Sequence, residues 1–261
     1  MSDSPSEASR APHILFCVNN YPPHLGGVQR HVAALAGELV ARGWAVTVVT
    51  LATEDGEAIE GGVRVIRIRR RIPVADVIAF PPPGVIRRIR RVVTDPVDVV
   101  STHTRFFPMT WTGIALASAL GVPTIHTEHG SGFVAGGSVL VRSASRAVDV
   151  TMGRRSLRRA DRVLGVSDAV VAFVRRLASV EATEFRNAID LAQWRMPHQR
   201  PAGPRRLVFV GRLVPGKGWE DFLEAGAALL TEGRDVELHV FGDGEDADAM
   251  RQMAEERRID A

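Results

Sequence analysis

Short apolar runs alternate with longer amphipathic stretches from His13 to the end of the chain, and this alternation is what most constrains the fold. His13–Asn19, Trp44–Leu51, Val63–Arg69, Val97–Thr102, Pro123–Thr127 and Arg162–Val166 read as strands. Between them, 27–42, 85–93, 108–120, 139–160 and 168–177 carry helical spacing, as in Val28, Val32, Leu35 and Leu39 on one side of the first helix. Gly43 and Gly121 follow the ends of two of these helices, and Ser167 or Asp168 stands where the last one needs a cap. Strands buried on both faces with helices between them predict a doubly wound parallel sheet.

The pattern pauses between 195 and 205, where Pro197, Pro201, Gly203 and Pro204 read as a linker, and then restarts. Strands at 206–210 and 236–241 alternate with helices at 219–230 and 246–257. Two strands fall short of a self-sufficient sheet, so the second domain reads as cut off. The expected organisation is a tail at 1–12, a Rossmann-like domain at 13–194, a linker at 195–205 and an incomplete second domain at 206–261.

Composition narrows the function classes. Cys17 is the only cysteine, which excludes an intrachain disulfide framework and fits a reducing cytoplasm. Between Arg64 and Arg91 there are nine arginines and one acid, Asp76. With one aromatic, Phe80, and no nucleic-acid module, that stretch does not point to nucleic acid. Val85, Ile86, Ile89, Val92 and Val93 form an apolar stripe beside Arg87, Arg88, Arg90 and Arg91, a pattern that suits peripheral contact with an anionic membrane as well as a solvated core helix. The longest stretch without Asp, Glu, Lys or Arg, Phe106–Thr127, is broken by prolines and glycines and reads as a buried helix–strand pair, not a span.

One residue stands out chemically. Of 33 basic side chains, 32 are arginine; the exception is Lys217. Arginine and lysine are nearly equivalent on a solvated face but not where a compact ammonium meets phosphate oxygens. Lys217 lies in Val210-Gly211-Arg212-Leu213-Val214-Pro215-Gly216-Lys217-Gly218, between a strand and a helix. That context presents backbone N–H groups, the helix dipole and two cations to an anion. The loop after the first strand, ending in Gly26-Gly27, also lies at a carboxyl edge, where open α/β sheets bind ligands. So do His103 and the segment His126-Thr127-Glu128-His129-Gly130. His126 and His129 could suggest a metal pair, but neither a helix nor a third ligand supports one, and no metal is expected. A buried, hydrogen-bonded role suits His126; an active-site role suits His129, at the strand end.

These segments together resemble the retaining GT-B glycosyltransferases, in particular glycosyltransferase family 4. The likeness is carried by ProProHisLeuGlyGlyValGlnArgHisVal (22–32), AspValValSerThrHisThr (98–104), ThrIleHisThrGluHisGly (124–130), AlaAspArgValLeuGlyValSerAsp (160–168), ArgAsnAlaIleAsp (186–190), ValGlyArgLeuValProGlyLysGly (210–218) and PheGlyAspGlyGlu (241–245). The resemblance implies a GT-B-like α/β fold, with an N-terminal Rossmann-like sheet and the first half of a second Rossmann-like domain. It implies transfer of a sugar from a nucleotide diphosphate-sugar, with retention, to a sugar, lipid-linked or small-molecule acceptor, and no cofactor. Arg212 and Lys217 would hold the diphosphate, aided by Gly26, Gly27, Gly216, Gly242 and Gly244. His129 would contact the donor sugar, and His24, His103 and Asn187 would lie on the acceptor side. A GT-B epimerase or phosphorylase, or a non-catalytic binding protein, remains the alternative. The family also carries a glutamate pair later in the second domain, for which this chain to Ala261 has no counterpart. A cytoplasmic location, on the membrane face or free of it, is expected.

Overall fold

The computed structural model describes residues 10–24, 26–74, 78–134, 138–189, 191 and 203–259. It divides into two compact units, Met1–Ile189 and Asp190–Ala261.

In the first unit the elements follow as β1 (His13–Val18), α1 (Gly27–Ala41), β2 (Ala45–Ala52), β3 (Gly56–Glu60), β4 (Val63–Arg69), β5 (Arg71–Val74), β6 (Ile78–Phe80), α2 (Val85–Val92), β7 (Val99–His103), α3 (Pro108–Leu120), β8 (Thr124–Glu128), α4 (Val139–Val148), a π-helical turn (Asp149–Gly153), α5 (Arg154–Arg159), β9 (Arg162–Gly165), α6 (Asp168–Ala178) and β10 (Thr183–Glu184). Eight strands form one sheet in the order β10-β9-β8-β7-β1-β2-β4-β3. Every pairing is parallel except β3 with β4.

All six residues of β1 are buried, as a central strand covered on both faces requires. Its side chains alternate between two cores. Leu15 and Cys17 join Val49, Leu51, Ile66 and Ile68 beneath α2 and α3. Ile14, Phe16 and Val18 join Val46, Val48, Val63 and Val65 beneath Val32 and Ala36 of α1. Helix ends carry the expected punctuation: Pro108 opens α3, Gly121 closes it in the left-handed conformation, and Ser167 caps α6 by accepting from the Val170 N–H at 3.3 Å.

Several sequence expectations change. The β3 hairpin strand, the β5–β6 ribbon and β10 had no clear apolar signal; every residue of β3 is exposed at the sheet edge. The expected helix over 139–160 is interrupted by the π-helical turn. Of the expected tail, residues 1–9 lie outside the described residues, but Arg10 is anchored: it donates to Asp98 Oδ2 at 2.8 Å. Of the expected linker, 195–202 lie outside them, while Arg205 already belongs to a strand. The apolar stripe of α2 does not face outward. Val85 and Ile89 are buried in the sheet's core, with Ile86, Val92 and Val93 packed against it, and Arg88 pairs with Asp55 at 2.9 Å. The stripe is therefore not available to a bilayer. Among the described residues, no helix is long and apolar enough to cross a membrane.

The second unit runs β11 (Arg205–Val210), α7 (Trp219–Thr231), β12 (Val236–Phe241) and α8 (Ala247–Glu256). The two strands pair in parallel. Leu213, Trp219 and Leu223 form its small core, with Phe209, Leu238 and Val240 against them. The opposite strand face is open: Val208 is 53% and Val210 77% exposed.

Candidate active site

The sheet order reverses direction beside β1. The chain winds from β1 through β2 to β4, then returns to lay β7 on the other flank of β1. At such a switch point the loops leaving adjacent strands diverge and open a crevice at their carboxyl ends. Asn19 lies there, fully buried, with its side chain donating to Ala79 O at 3.2 Å and accepting from the Met109 N–H of α3 at 3.2 Å. His103, the last residue of β7, lies there as well.

Three histidines meet at this edge. His103 Nδ1 is 3.1 Å from His129 Nε2. His31, on α1, packs edge-on against both, with ring centroids 5.7 Å from His103 and 5.1 Å from His129. Phe16 stacks on His103 at 5.9 Å. His103 is fully buried and its other nitrogen faces Ser101 Oγ at 3.2 Å. Burial, reinforced by the neighbouring histidines, pulls the pKa of His103 well below its usual value. Burial also lowers His31, and it brings His129 down to about 4 despite the opposing pull of Glu128. The cluster is therefore neutral imidazole at pH 7. The backbone beside it is strained: Thr104 holds φ of 65°, unusual for a β-branched residue, and its hydroxyl has no partner among the described residues.

The loop that carries His129 is strung around a buried arginine. Arg105, 1% exposed, pairs with Glu128 Oε1 at 2.9 Å and Asp149 Oδ2 at 2.8 Å. It also donates to the Gly132 carbonyl at 3.0 Å, and its guanidinium lies 4.6 Å from the centroid of Phe173. Glu128 in turn accepts from the N–H groups of Arg105, His129 and Gly130 at 3.0, 3.1 and 2.8 Å. Burial pushes the Glu128 carboxyl up, but the His126 contact, the Arg105 charge and the Gly130 N–H outweigh it and hold it at about 2. Asp149 reaches this network from the π-helical turn, whose extra residue per turn redirects a side chain inward. His126 is the structural histidine: it is buried, with Nδ1 3.0 Å from Thr102 Oγ1 and Nε2 3.5 Å from Glu128.

In the second unit, Gly216 and Gly218 hold φ of 78° and 80°, a region that favours glycine. Gly218 is the residue before α7. Lys217 lies within this turn and Arg212 four residues before it, and both are exposed. Among the described residues, neither side chain has a hydrogen-bond or ion-pair partner, so both charges face outward. Glu220 and Asp221 in the first turn of α7 already interact with its dipole, which leaves these cations and the turn's N–H groups as the anion-attracting elements. The loops after β11 and β12 extend the strand pairing: Gly211 N donates to Phe241 O at 3.1 Å and Leu213 N to Asp243 O at 2.9 Å. A Cβ on Gly242 would lie 1.8 Å from the Gly211 carbonyl oxygen, and one on Gly244 2.0 Å from that of Leu213. Their glycine identity is thus fixed by loop-on-loop contact.

The remaining expected residues are dispersed. His24 is exposed in the turn after β1, and Asn187 is exposed beyond β10. Gly26 is extended and Gly27 opens α1, where a Cβ would meet nothing within 4 Å. His103, expected beside an acceptor, instead backs the cluster from inside. Sequence reasoning missed His31, Arg105, Glu128 and Asp149. A signal was present for two of them: Arg105 and Glu128 are the charges that bound the uncharged run Phe106–Thr127.

Comparison with known proteins fits this arrangement. A GT-B-like fold is shared with HepE of Anabaena, whose structure with UDP and glucose superposes at a TM-score of 0.66 and 15% identity, over 95% of this chain and 67% of that one. The chain is 26% identical to an uncharacterised glycosyltransferase of Methanocaldococcus jannaschii, over 90% of this chain and 64% of that protein. It is 29% identical to glycogen synthase of Mycobacterium tuberculosis, over 94% of this chain and 65% of the synthase. It thus spans just under two thirds of the length of these relatives. Glycosyltransferase Family 4 matches over residues 25–193, and Glycosyl transferases group 1 over 191–261. The fold is GT-B-like; the chain belongs to glycosyltransferase family 4.

Two outcomes follow from the buried network. Glu128→Gln leaves Arg105 and the His129–Gly130 N–H groups facing a neutral amide, and breaking one partner of a buried pair costs about 3–5 kcal/mol; urea unfolding of the N-terminal unit should move by that order. Stability should also fall with acidity. The depressed histidines bind fewer protons folded than unfolded between about pH 6.5 and 4, so stability declines as pH drops through that window, and Glu128 extends the loss below pH 4. Urea midpoints at pH 7, 5.5 and 4.5 would check this; a flat profile would contradict the buried neutral cluster.

Proposed function

We propose that this chain acts as a retaining transferase that moves a sugar from a nucleoside diphosphate-sugar to an acceptor hydroxyl, working in the cytoplasm without a metal cofactor. The observation that carries the reading is the glycine turn of the second unit. Among the described residues its lone lysine and Arg212 are both without a side-chain partner, and both are exposed and adjacent to N–H groups held by residues with positive φ. Departure of a nucleoside diphosphate builds negative charge, and two cations with backbone donors would stabilise that charge where a divalent ion serves in other enzymes. The UDP bound by the Anabaena fold neighbour supports a nucleoside diphosphate as the leaving group.

On this reading His129 contacts the donor sugar near its reacting carbon. It is the half-buried member of the cluster on the loop, and its neutral ring can accept or donate a hydrogen bond there. His103 does not reach the acceptor itself; from its buried position it fixes the His129 ring through the 3.1 Å contact. Gly26 and Gly27 open α1 toward the acceptor or the diphosphate, with His24 and Asn187 as exposed acceptor-side groups. The epimerase, phosphorylase and binding-protein alternatives draw no support from the relatives, whose names are those of transferases or synthases.

Donor turnover, read as nucleoside diphosphate released, tests the assignment. Lys217→Ala and Arg212→Ala should each remove a charge-assisted contact of about 1.5–3 kcal/mol, a loss of about 10- to 150-fold. Lys217→Arg should also be impaired, because a planar fork does not replace a point charge; unchanged kinetics in that variant would refute the phosphate role of the lysine. A second comparison concerns the histidines. His129→Ala should lose far more kcat than His126→Ala, whose effect should appear as lowered stability instead. Equal losses of kcat in equally folded variants would remove His129 from the reacting centre.

A further inference from the structure

The three-histidine cluster has a feature the transfer chemistry does not require. One ring nitrogen from each of His31, His103 and His129 lies within 4.8 Å of the other two. The three side chains arrive from α1, the end of β7 and the loop after β8, so each is positioned by a different element. His103 already has the arrangement a ligating histidine needs: Nδ1 faces the cluster, while Nε2 is fixed by Ser101 Oγ at 3.2 Å. His129 presents Nε2 to the same point. His31 Nε2 is buried and has no hydrogen-bond partner among the described residues. His31 therefore keeps a buried ring nitrogen free of any hydrogen bond among the described residues.

Distances and chemistry agree. Tetrahedral Zn–N bonds of about 2.0–2.1 Å place ligand nitrogens roughly 3.3–3.4 Å apart. The His103–His129 separation is 3.1 Å, and the widest gap allowed by the 4.8 Å limit closes with about 1.5 Å of ring movement, within reach of side-chain torsions. His31 and His129 are half-buried while His103 closes the inner side, which leaves the outer position for water. The nearby carboxylate, Glu128, is already engaged by Arg105 and three backbone N–H groups, so the donor set is nitrogen alone. Such a set suits Zn2+, Ni2+ or Co2+ and not the oxygen-seeking Mg2+ or Ca2+. The pair suggested by sequence spacing, His126 with His129, is not this site, since both nitrogens of His126 face Thr102 and Glu128.

We propose that His31, His103 and His129 form a binding site for a divalent transition cation, Zn2+ above all, with water completing a tetrahedron. The ion would occupy the nitrogens that His129 needs free, so it would compete with the transfer chemistry and take no part in it. Binding is read without any transfer assay, so the failure of either reading leaves the other standing.

The test uses tag-free chain stripped of metal and titrated with Zn2+ against a chromophoric chelator. A single ion per chain is expected at micromolar affinity or tighter, and Mg2+ should not displace it. His31→Ala and His31→Gln should each weaken binding by at least about tenfold, whereas His239→Ala, at an exposed histidine of β12, should not. Far-UV circular dichroism decides whether the alanine variant is folded; the glutamine variant serves if it is not. Co2+ should give the intense visible bands of a tetrahedral nitrogen site. Absence of Zn2+ binding, binding indifferent to His31→Gln, or the weak bands of octahedral Co2+ would each overturn the proposal and leave a hydrogen-bonded imidazole cluster.

Discussion

The buried Arg105–Glu128 pair is the interaction on which the N-terminal site depends. Both charges are buried, and each has several partners: Arg105 two carboxylates, a carbonyl and an aromatic face, its Nε alone lacking a hydrogen-bond partner among the described residues, and Glu128 three N–H groups and a guanidinium. Isolated charges in such a place would be prohibitively unstable, so the pair holds only if β7, β8, the 129–132 loop and the π-helical turn are all in register. That mutual requirement makes the loop carrying His129 as well determined as a strand. It also accounts for the local irregularities, because the strained Thr104 and the π-helical turn are what bring Arg105 and Asp149 together.

Much of the fold was legible because parallel sheets covered on both faces write themselves as apolar runs. β1, β2, β4, β7, β8 and β12 appear in the sequence within a residue or two of their ends, and α3 appears with both. The missed strands were those without such a run. β3 is wholly exposed, and its Glu57 and Glu60, which pair with Arg64 and Arg67 of β4, carry no apolar run to mark a strand. The amphipathic stripe of α2 was visible, but a sequence cannot say whether a stripe meets a sheet or a lipid surface, and here it meets the sheet.

The site was legible in part for a similar reason. Lys217 stood out by composition, and His129 by its place at a strand end. His31 did not: a histidine on the fourth residue after a helix-opening glycine looks like any half-buried side chain until the switch between β1 and β7 brings His103 beneath it. Long-range geometry of that kind is set by strand order, which no local pattern carries. Gly242 and Gly244 show the converse, since their glycine identity could be read as ligand approach but is dictated by the neighbouring carbonyls.

The zipped loops after β11 and β12 carry an evolutionary consequence. Because Gly211, Leu213, Asp243 and Asp246 share backbone hydrogen bonds, the lysine turn and the loop some thirty residues later form one rigid tongue. Drift in either loop is coupled to the other, so a lineage could not reshape one loop without compensating in the other. New surface chemistry would then arise more readily from side chains mounted on the tongue than from any change in its length or path.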